Sequence, residues 1–211
     1  MDNVTLDTLT DWLSRFHAAV TERRDYLTEL DSAIGDAEHG ANMARGMAAV
    51  MAKIDVARPG TVDELLKTVG MTLVSSVGGA SGPLYGTFFL RMGIACGAVC
   101  ELTPEALGSG LRAGLDGVLQ RGKAELGDKT MYDALFPALE AYATAVAAGS
   151  GAPGAIDAAA DAARLGRDAT VPMVARKGRA SYLGERSVGH LDPGATSAAM
   201  LISSLAAAMA G

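Results

Sequence analysis

The chain has 211 residues, and its 49% hydrophobic and 20% charged side chains predict one globular domain over residues 1–211. Its net charge of −6 argues against nucleic acid as a partner, since a phosphate backbone requires a basic surface. No run approaches 18 uninterrupted apolar residues and the start Met1-Asp2-Asn3 is unlike a signal peptide, so we expect no membrane span. Cys96 and Cys100, four apart on an apolar stretch, are expected in the core rather than in a disulfide, which fits a reducing cytoplasm.

Apolar residues recur with helical spacing and predict eight helices in chain order. The first three contain apolar stripes within residues 6–20, 43–54 and 65–77. The fourth should run from about Leu84 to Cys100, and the fifth should begin at Thr103-Pro104, with a threonine cap followed by proline. The last three are expected over about 131–147, 155–170 and 192–209. Strand alternation is nearly absent, so the sequence predicts an all-α fold, an antiparallel eight-helix barrel or bundle.

Four connecting segments combine glycine, small hydroxyl residues and charge. They cover residues 31–42, 78–87, 121–133 and 176–197, and they follow the first, third, fifth and seventh predicted helices. Alternate loops of an up-and-down bundle lie at the same end. We therefore expect a site at one mouth of the bundle.

The first of these segments contains three carboxylates, Asp31, Asp36 and Glu38, with no basic residue among them. Like charges at this density are stabilised most simply by a cation, and oxygen ligands suit a hard ion such as Mg²⁺. The alternative is an acidic helix junction in which Asp36 caps the following helix.

Three further features could bind phosphate. His39-Gly40-Ala41-Asn42 should open a helix whose free N–H groups could accept an anion, although a lone histidine is more often a structural hydrogen-bonding group. The glycine-rich turn at residues 78–87 could cradle phosphate or could serve a tight helix crossing. Arg176, Lys177, Arg179 and Arg186 could bind phosphate, dock a partner or be solvated.

Taken together, four segments in order resemble the L subunit, or L domain, of dihydroxyacetone kinases. They are the stretch from Asp31 through Gly35-Asp36-Ala37-Glu38-His39-Gly40 to Met43, residues 79–86, Gly127-Asp128-Lys129-Thr130-Met131, and residues 176–195. The resemblance implies a barrel of eight helices with ADP or ATP at one end. It also implies two Mg²⁺ ions held by the metal ligands Asp31, Asp36 and Glu38.

The same resemblance implies the residues that bind the nucleotide cofactor. Those expected to line its site are His39, Gly40, Ala41, Asn42, Ala80, Ser81, Gly122, Met131, Arg179, Asp192, Pro193 and Gly194. No catalytic nucleophile is expected in this chain, and Arg179 is the candidate closest to a catalytic role.

The resemblance further implies partners. A K subunit would hold dihydroxyacetone on its own histidine, and a phosphotransferase-system M-type subunit would recharge the bound ADP. An ATP-dependent kinase for dihydroxyacetone or a related ketose is the alternative within the same class. A Mg²⁺-dependent all-helical hydrolase and a catalytically inactive regulatory relative are alternatives of other classes.

The segment departs from the family pattern Gly-Asp-Gly-Asp-His-Gly at two positions, Ala37 and Glu38. Glutamate is one methylene longer than aspartate, which shifts the position from which it can reach Mg²⁺. If the backbone at residue 37 has a positive φ, alanine should cost about 1 kcal/mol relative to glycine.

Overall fold

The computed structural model describes residues 3–211 and contains nine α-helices within that range. Two short strands, β1 (Val4–Thr5) and β2 (Glu101–Leu102), pair antiparallel. The helices are α1 (Leu6–Glu22), α2 (Arg24–Ile34), α3 (His39–Ala57), α4 (Val62–Ser76), α5 (Ser81–Cys96), α6 (Pro104–Gly122), α7 (Met131–Ala147), α8 (Ala152–Ala169) and α9 (Pro193–Ala210). A 3₁₀ segment, Arg179–Ser187, lies between α8 and α9.

Eight of these helices form a closed ring. Starting at α1, each packs against the next in the order α1, α3, α4, α5, α6, α7, α8, α9, and α9 packs against α1. The closure is reinforced by Trp12 on α1, whose indole Nε1–H donates to the Leu201 carbonyl of α9 at 2.8 Å. This arrangement confirms the predicted all-α eight-helix barrel.

Helix α2, which lies outside the ring, was not predicted. It follows α1 after the single residue Arg23, has no side-chain cap, and packs mainly against α3 outside the ring. Its apolar face is short, with only Leu27 and Ile34 as buried hydrophobic residues and Asp31 buried beside them, so few residues mark it as a helix.

Some helix boundaries follow from local sequence rules, and others differ from the prediction. Thr103 caps α6 ahead of Pro104, and Asp192 caps α9 ahead of Pro193, as predicted. The fourth predicted helix ends earlier than expected, at Cys96, because Gly97 adopts φ +74°. Thr130 caps α7 in a reciprocal capping box with Asp133.

One hydrophobic core fills the ring and takes residues from all nine helices. Helix α9 is long and apolar enough to pass a length-and-composition test for a membrane span, but 61% of that window is buried inside the fold. Its residues from Ala195 to Leu205 pack against α1, α7 and α8. Helix α9 is therefore a helix of the protein core.

Candidate nucleotide and metal site

All four unusual segments meet at one end of the barrel. They line a single cleft of about 780 Å³, which is bounded by the α2–α3 turn, the α4–α5 turn, the α6–α7 loop and the long α8–α9 connection. The cleft is large enough for a nucleotide-sized ligand. The expectation that these segments share one mouth of the bundle is confirmed.

Most residues predicted to bind the nucleotide lie on this cleft. The residues that line it are His39, Asn42, Ala80, Ser81, Gly122, Met131, Arg179, Asp192, Pro193 and Gly194, together with the predicted metal ligands Asp31, Asp36 and Glu38. Gly40 and Ala41 do not line it. A Cβ at Gly40 would lie 2.0 Å from the Arg24 carbonyl oxygen, so this glycine allows α3 to pack closely against α2.

The carboxylates occupy different environments. Asp31 is buried at the end of α2, and its Oδ2 accepts the backbone N–H groups of Glu38 at 2.9 Å and His39 at 3.1 Å. Asp36 is paired with Arg179, whose Nε lies 2.6 Å from Asp36 Oδ2. Burial raises the pKa of Asp31, and the neighbouring Asp36 carboxyl raises it further.

This donor set fits a hard cation in chemistry but is not assembled around one. Within residues 3–211, no three acidic, histidine or cysteine side chains converge as metal ligands do. The guanidinium of Arg179 supplies the positive charge beside Asp36 instead. The repulsion between the Asp31 and Asp36 carboxyls, which adds to the effect of burial on the pKa of Asp31, is the kind that a divalent cation relieves.

Ala37 has a left-handed backbone, with φ +62°. The condition for strain at this position is therefore met, because a Cβ in this region crowds the neighbouring peptide. The turn places Asp36 and Glu38 on either side of a residue that glycine would occupy without strain.

His39 begins α3 and is enclosed by hydroxyl groups. Its Nδ1 lies 3.0 Å from Ser81 Oγ, and its Nε2 lies 2.9 Å from Ser197 Oγ. Burial lowers the pKa of His39 to about 4, so the ring is neutral at physiological pH. Both ring nitrogens are engaged within the protein, which makes His39 a support for Ser81 rather than a free ligand.

The glycine-rich turn at residues 78–87 has features of both roles expected for it, a phosphate cradle and a tight helix crossing. Ala80 and Ser81 line the cleft, and the N–H groups of the first turn of α5 are available there. Gly82 instead serves packing, because a Cβ there would lie 2.3 Å from the Val77 carbonyl oxygen. Tight helix packing and an anion-binding helix start thus coincide in one segment.

Lys129 is a residue of the cleft to which the sequence analysis gave no role. Its side chain is only 1% exposed, and its Nζ donates to backbone carbonyls of the α8–α9 connection. Its three shortest contacts are with the carbonyls of Thr170 (2.8 Å), Ser187 (2.8 Å) and His190 (2.6 Å), and the carbonyls of Val171 (3.5 Å) and Met173 (3.2 Å) share its protons at longer range. The ammonium therefore ties down both ends of the segment that contains Arg179.

Asp192 lies near this ammonium at the start of α9. Its Oδ2 accepts the N–H of Ala195 at 2.7 Å, and burial raises its pKa to about 7. Lys129 opposes that rise through its positive charge, whereas Asp133 and Asp31 add to it.

The rest of the cleft wall supplies basic and apolar groups. Arg121, Arg176 and Lys177 line it, and Arg186 does not. The apolar lining comes from Leu84, Val118, Ala124, Met131 and Tyr132. The cleft thus combines carboxylates, helix starts, cations and an apolar wall, as a site for a magnesium nucleotide requires.

Comparisons with known proteins identify the family. The DAK2 domain family model matches residues 33–207. The chain is 48% identical over 200 residues to the PEP-dependent dihydroxyacetone kinase ADP-binding subunit DhaL of Escherichia coli, covering 95% of each chain. It is 44% identical over 202 residues to the corresponding PTS-dependent subunit of Lactococcus lactis, covering 96% of this chain and 97% of that one.

A solved structure shows the same fold. The dihydroxyacetone kinase from C. freundii in complex with AMP-PNP and Mg²⁺ superimposes with a TM-score of 0.71 at 26% identity. The match covers 98% of this chain and 35% of that one, so this chain corresponds to about a third of that kinase. The predicted enzyme class, a phosphotransferase subunit, is confirmed by the curated relatives. The chain belongs to the DAK2-domain family, among the L subunits of dihydroxyacetone kinases.

Proposed function

We propose that this protein carries ADP or ATP with Mg²⁺ in its cleft and passes a phosphoryl group to dihydroxyacetone held by a K subunit. The observation that supports the proposal best is the convergence of all four unusual segments on one cleft. The named activity of relatives that match along nearly their whole length supports it independently.

The nucleotide phosphates would lie between two helix starts. The first turn of α5 leaves backbone N–H groups unpaired beside Ala80 and Ser81 on the cleft, and Asn42 of α3 lines the same region. Arg179 reaches the same region, as its contact with Asp36 shows, and its planar fork suits phosphate oxygens. The base would pack against the apolar wall near Gly122 and Met131, with Asp192-Pro193-Gly194 closing the other side.

Asp31, Asp36 and Glu38 would hold the metal, and the resemblance implies two ions. Mg²⁺ bound there would neutralise charge on the phosphate oxygens during transfer. Asp31 is positioned in advance by its two backbone hydrogen bonds, whereas Asp36 would exchange its contact with Arg179 for the metal. The exchange leaves the Arg179 guanidinium free to face phosphate.

The chain itself needs no nucleophile, since the attacking hydroxyl belongs to the sugar. Neither histidine near the cleft is suited to hold a ketose covalently. His39 is buried with both ring nitrogens engaged, and His190 is exposed and does not line the cleft. The sugar would therefore be held by the K subunit, which docks over the mouth.

The phosphoryl donor would be an M-type phosphotransferase-system subunit, with ADP retained as a coenzyme. The relatives that match this chain end to end are named PEP-dependent or PTS-dependent ADP-binding subunits, which favours this over a freely exchanging ATP. We also propose that the protein works in the cytoplasm, without membrane or nucleic acid as a partner.

A reconstitution tests this function. The purified chain is mixed with a K subunit, dihydroxyacetone and ATP in an amount equal to the chain, and dihydroxyacetone phosphate is measured. Product should form only when both proteins are present, and an M-type subunit with its phosphorylated donor should sustain further turnovers.

Each alternative predicts a different outcome of the same assay. A hydrolase would release phosphate from its substrate without a K subunit. An inactive regulatory relative would bind ADP and transfer nothing. Turnover with excess ATP and no M-type subunit would favour the ATP-dependent kinase.

A further inference from the structure

We propose that Tyr85, Ser197, His39 and Ser81 form one hydrogen-bonded chain whose direction is set by the bound phosphate. Ser197 is the positioning residue of this network, because its single proton goes either to Gly194 or to His39, while Tyr85 donates to Ser197 in both cases. The proposal rests on the proposed function, because it takes the ligand beside Ser81 to be a nucleotide phosphate.

The four side chains come from three helices and touch in sequence. Tyr85 OH lies 2.7 Å from Ser197 Oγ, and Ser197 Oγ lies 2.9 Å from His39 Nε2. His39 Nδ1 lies 3.0 Å from Ser81 Oγ. Ser197 and Tyr85 are buried, whereas Ser81 is partly exposed on the cleft, so the series of hydrogen bonds runs from the core to the cleft.

The first link has a fixed direction. Within the described part of the chain, the buried hydroxyl of Tyr85 has Ser197 Oγ as its one hydrogen-bond partner. If Ser197 donated to Tyr85, the phenolic proton would be buried without an acceptor, which is costly. Tyr85 therefore donates to Ser197.

The single hydroxyl proton of Ser197 has two acceptors available. One is the carbonyl oxygen of Gly194 at 3.1 Å, and the other is Nε2 of His39. A serine hydroxyl has a single proton, so only one of these bonds can be donated by Ser197 at a time.

The choice made by Ser197 is transmitted through the imidazole. When Ser197 donates to Gly194, it must accept from a protonated Nε2; Nδ1 is then bare and accepts the Ser81 proton. When Ser197 donates to Nε2, the proton lies on Nδ1 and is donated to Ser81 Oγ. Both forms of the ring are neutral.

The two forms present opposite chemistry to the cleft. In the first, Ser81 offers only oxygen lone pairs, which repel a phosphate oxygen. In the second, the Ser81 proton is free to be donated to phosphate in a charge-assisted hydrogen bond. Phosphate binding should therefore select the Nδ1–H tautomer of His39, which the proton donated by Ser197 to Nε2 stabilises.

The tautomer can be measured directly. The protein is labelled with ¹⁵N-histidine, stripped of nucleotide and metal, and examined by long-range ¹H–¹⁵N correlation before and after addition of ADP and Mg²⁺. The chain has three histidines, so the His39 signals are assigned by their loss in His39→Gln. We expect the proton to move from Nε2 to Nδ1 on ADP binding; ADP binding with no change of tautomer overturns the proposal while leaving the proposed function intact.

A variant tests the role of Ser197. In Ser197→Ala, a proton on Nε2 would have no acceptor, so the nucleotide-free protein should already contain the Nδ1–H tautomer. Ser204→Ala removes another buried hydroxyl from the same helix and should leave the tautomer as in the unmodified protein. Retention of Nε2–H in Ser197→Ala overturns the proposal. Failure of the unmodified protein to bind ADP at all overturns the proposed function and this proposal with it.

Discussion

Arg179 Nε lies 2.6 Å from Asp36 Oδ2, which joins the basic α8–α9 connection to the acidic turn before α3. The pair is solvent-accessible, with the arginine side chain 67% exposed, so it contributes little to stability. Its members are therefore free to exchange partners. A metal can take the carboxylate and a phosphate can take the guanidinium without a large loss of folding free energy.

The proposed role of Asp36 as a metal ligand leads to the first prediction. Asp36→Asn should abolish most of the Mg²⁺ dependence of ADP binding, because an amide is a weaker ligand for a hard cation. We expect the Kd for ADP in the presence of Mg²⁺ to rise at least about tenfold, which corresponds to a loss of about 1.4 kcal/mol of binding free energy. The measurement is isothermal titration calorimetry with and without Mg²⁺. Asp25→Asn, at an exposed aspartate on α2, is the matched control, and an unchanged Mg²⁺ dependence in Asp36→Asn would show that the ligand assignment is wrong.

The second prediction concerns Lys129. Lys129→Met should lower the free energy of unfolding by about 3 kcal/mol, since it strands buried carbonyls that the ammonium now satisfies. The measurement is urea denaturation. Lys53→Met, at an exposed position of α3, should change stability by less than about 0.5 kcal/mol. Equal stability of the two variants would contradict the structural role given to the Lys129 ammonium.

A third prediction follows from the raised pKa of Asp192. The carboxyl takes up a proton more readily in the folded state, at a pKa of about 7, than in the unfolded chain. Its contribution to stability is therefore full below the unfolded value and is lost as pH rises from about 4 to about 7.

Asp192→Asn tests this dependence, because asparagine keeps the helix cap and removes the titrating group. Urea denaturation of the metal-free protein at pH 5 and pH 7 should show a smaller loss of stability in the variant. The difference should approach roughly 1.4 kcal/mol per pH unit within that window. Identical pH profiles for both proteins would rule out a raised pKa for Asp192.

The fourth prediction concerns the turn between the proposed metal ligands. Ala37→Gly should leave stability unchanged or raise it by up to about 1 kcal/mol, because glycine adopts φ +62° without strain. Ala48→Gly, at an exposed position inside α3, should cost about 1 kcal/mol. Thermal unfolding of both variants decides the matter, and an equal loss in both would show that residue 37 is not strained.

The sequence was sufficient to predict the barrel because its ring helices are either amphipathic or, like α5 and α9, apolar stretches bounded by glycine, proline or a capping residue. Because alternate loops of an up-and-down bundle lie at the same end, the four unusual segments were expected together, and the structure has the cleft there. Helix α2 was missed because its apolar face is reduced to few residues and no side chain caps its start. A break of one residue after α1 leaves little local signal.

The interior arrangement of the site was harder to predict. Lysine normally lies on the surface, so nothing in Gly127-Asp128-Lys129-Thr130-Met131 indicated a buried ammonium among carbonyls distant in sequence. The contacts of Ser197 and Tyr85 with His39 likewise depend on how α3, α5 and α9 cross. Such contacts are set by tertiary packing and have no local sequence pattern.

The proposed function requires the cleft to hold a magnesium nucleotide as a retained coenzyme. Native mass spectrometry of the gently purified, dialysed protein tests it most directly. We expect a mass excess equal to one ADP with bound Mg²⁺ per chain, lost on treatment with EDTA. A protein that is free of nucleotide and gains no ADP mass when ADP and Mg²⁺ are added would contradict the account.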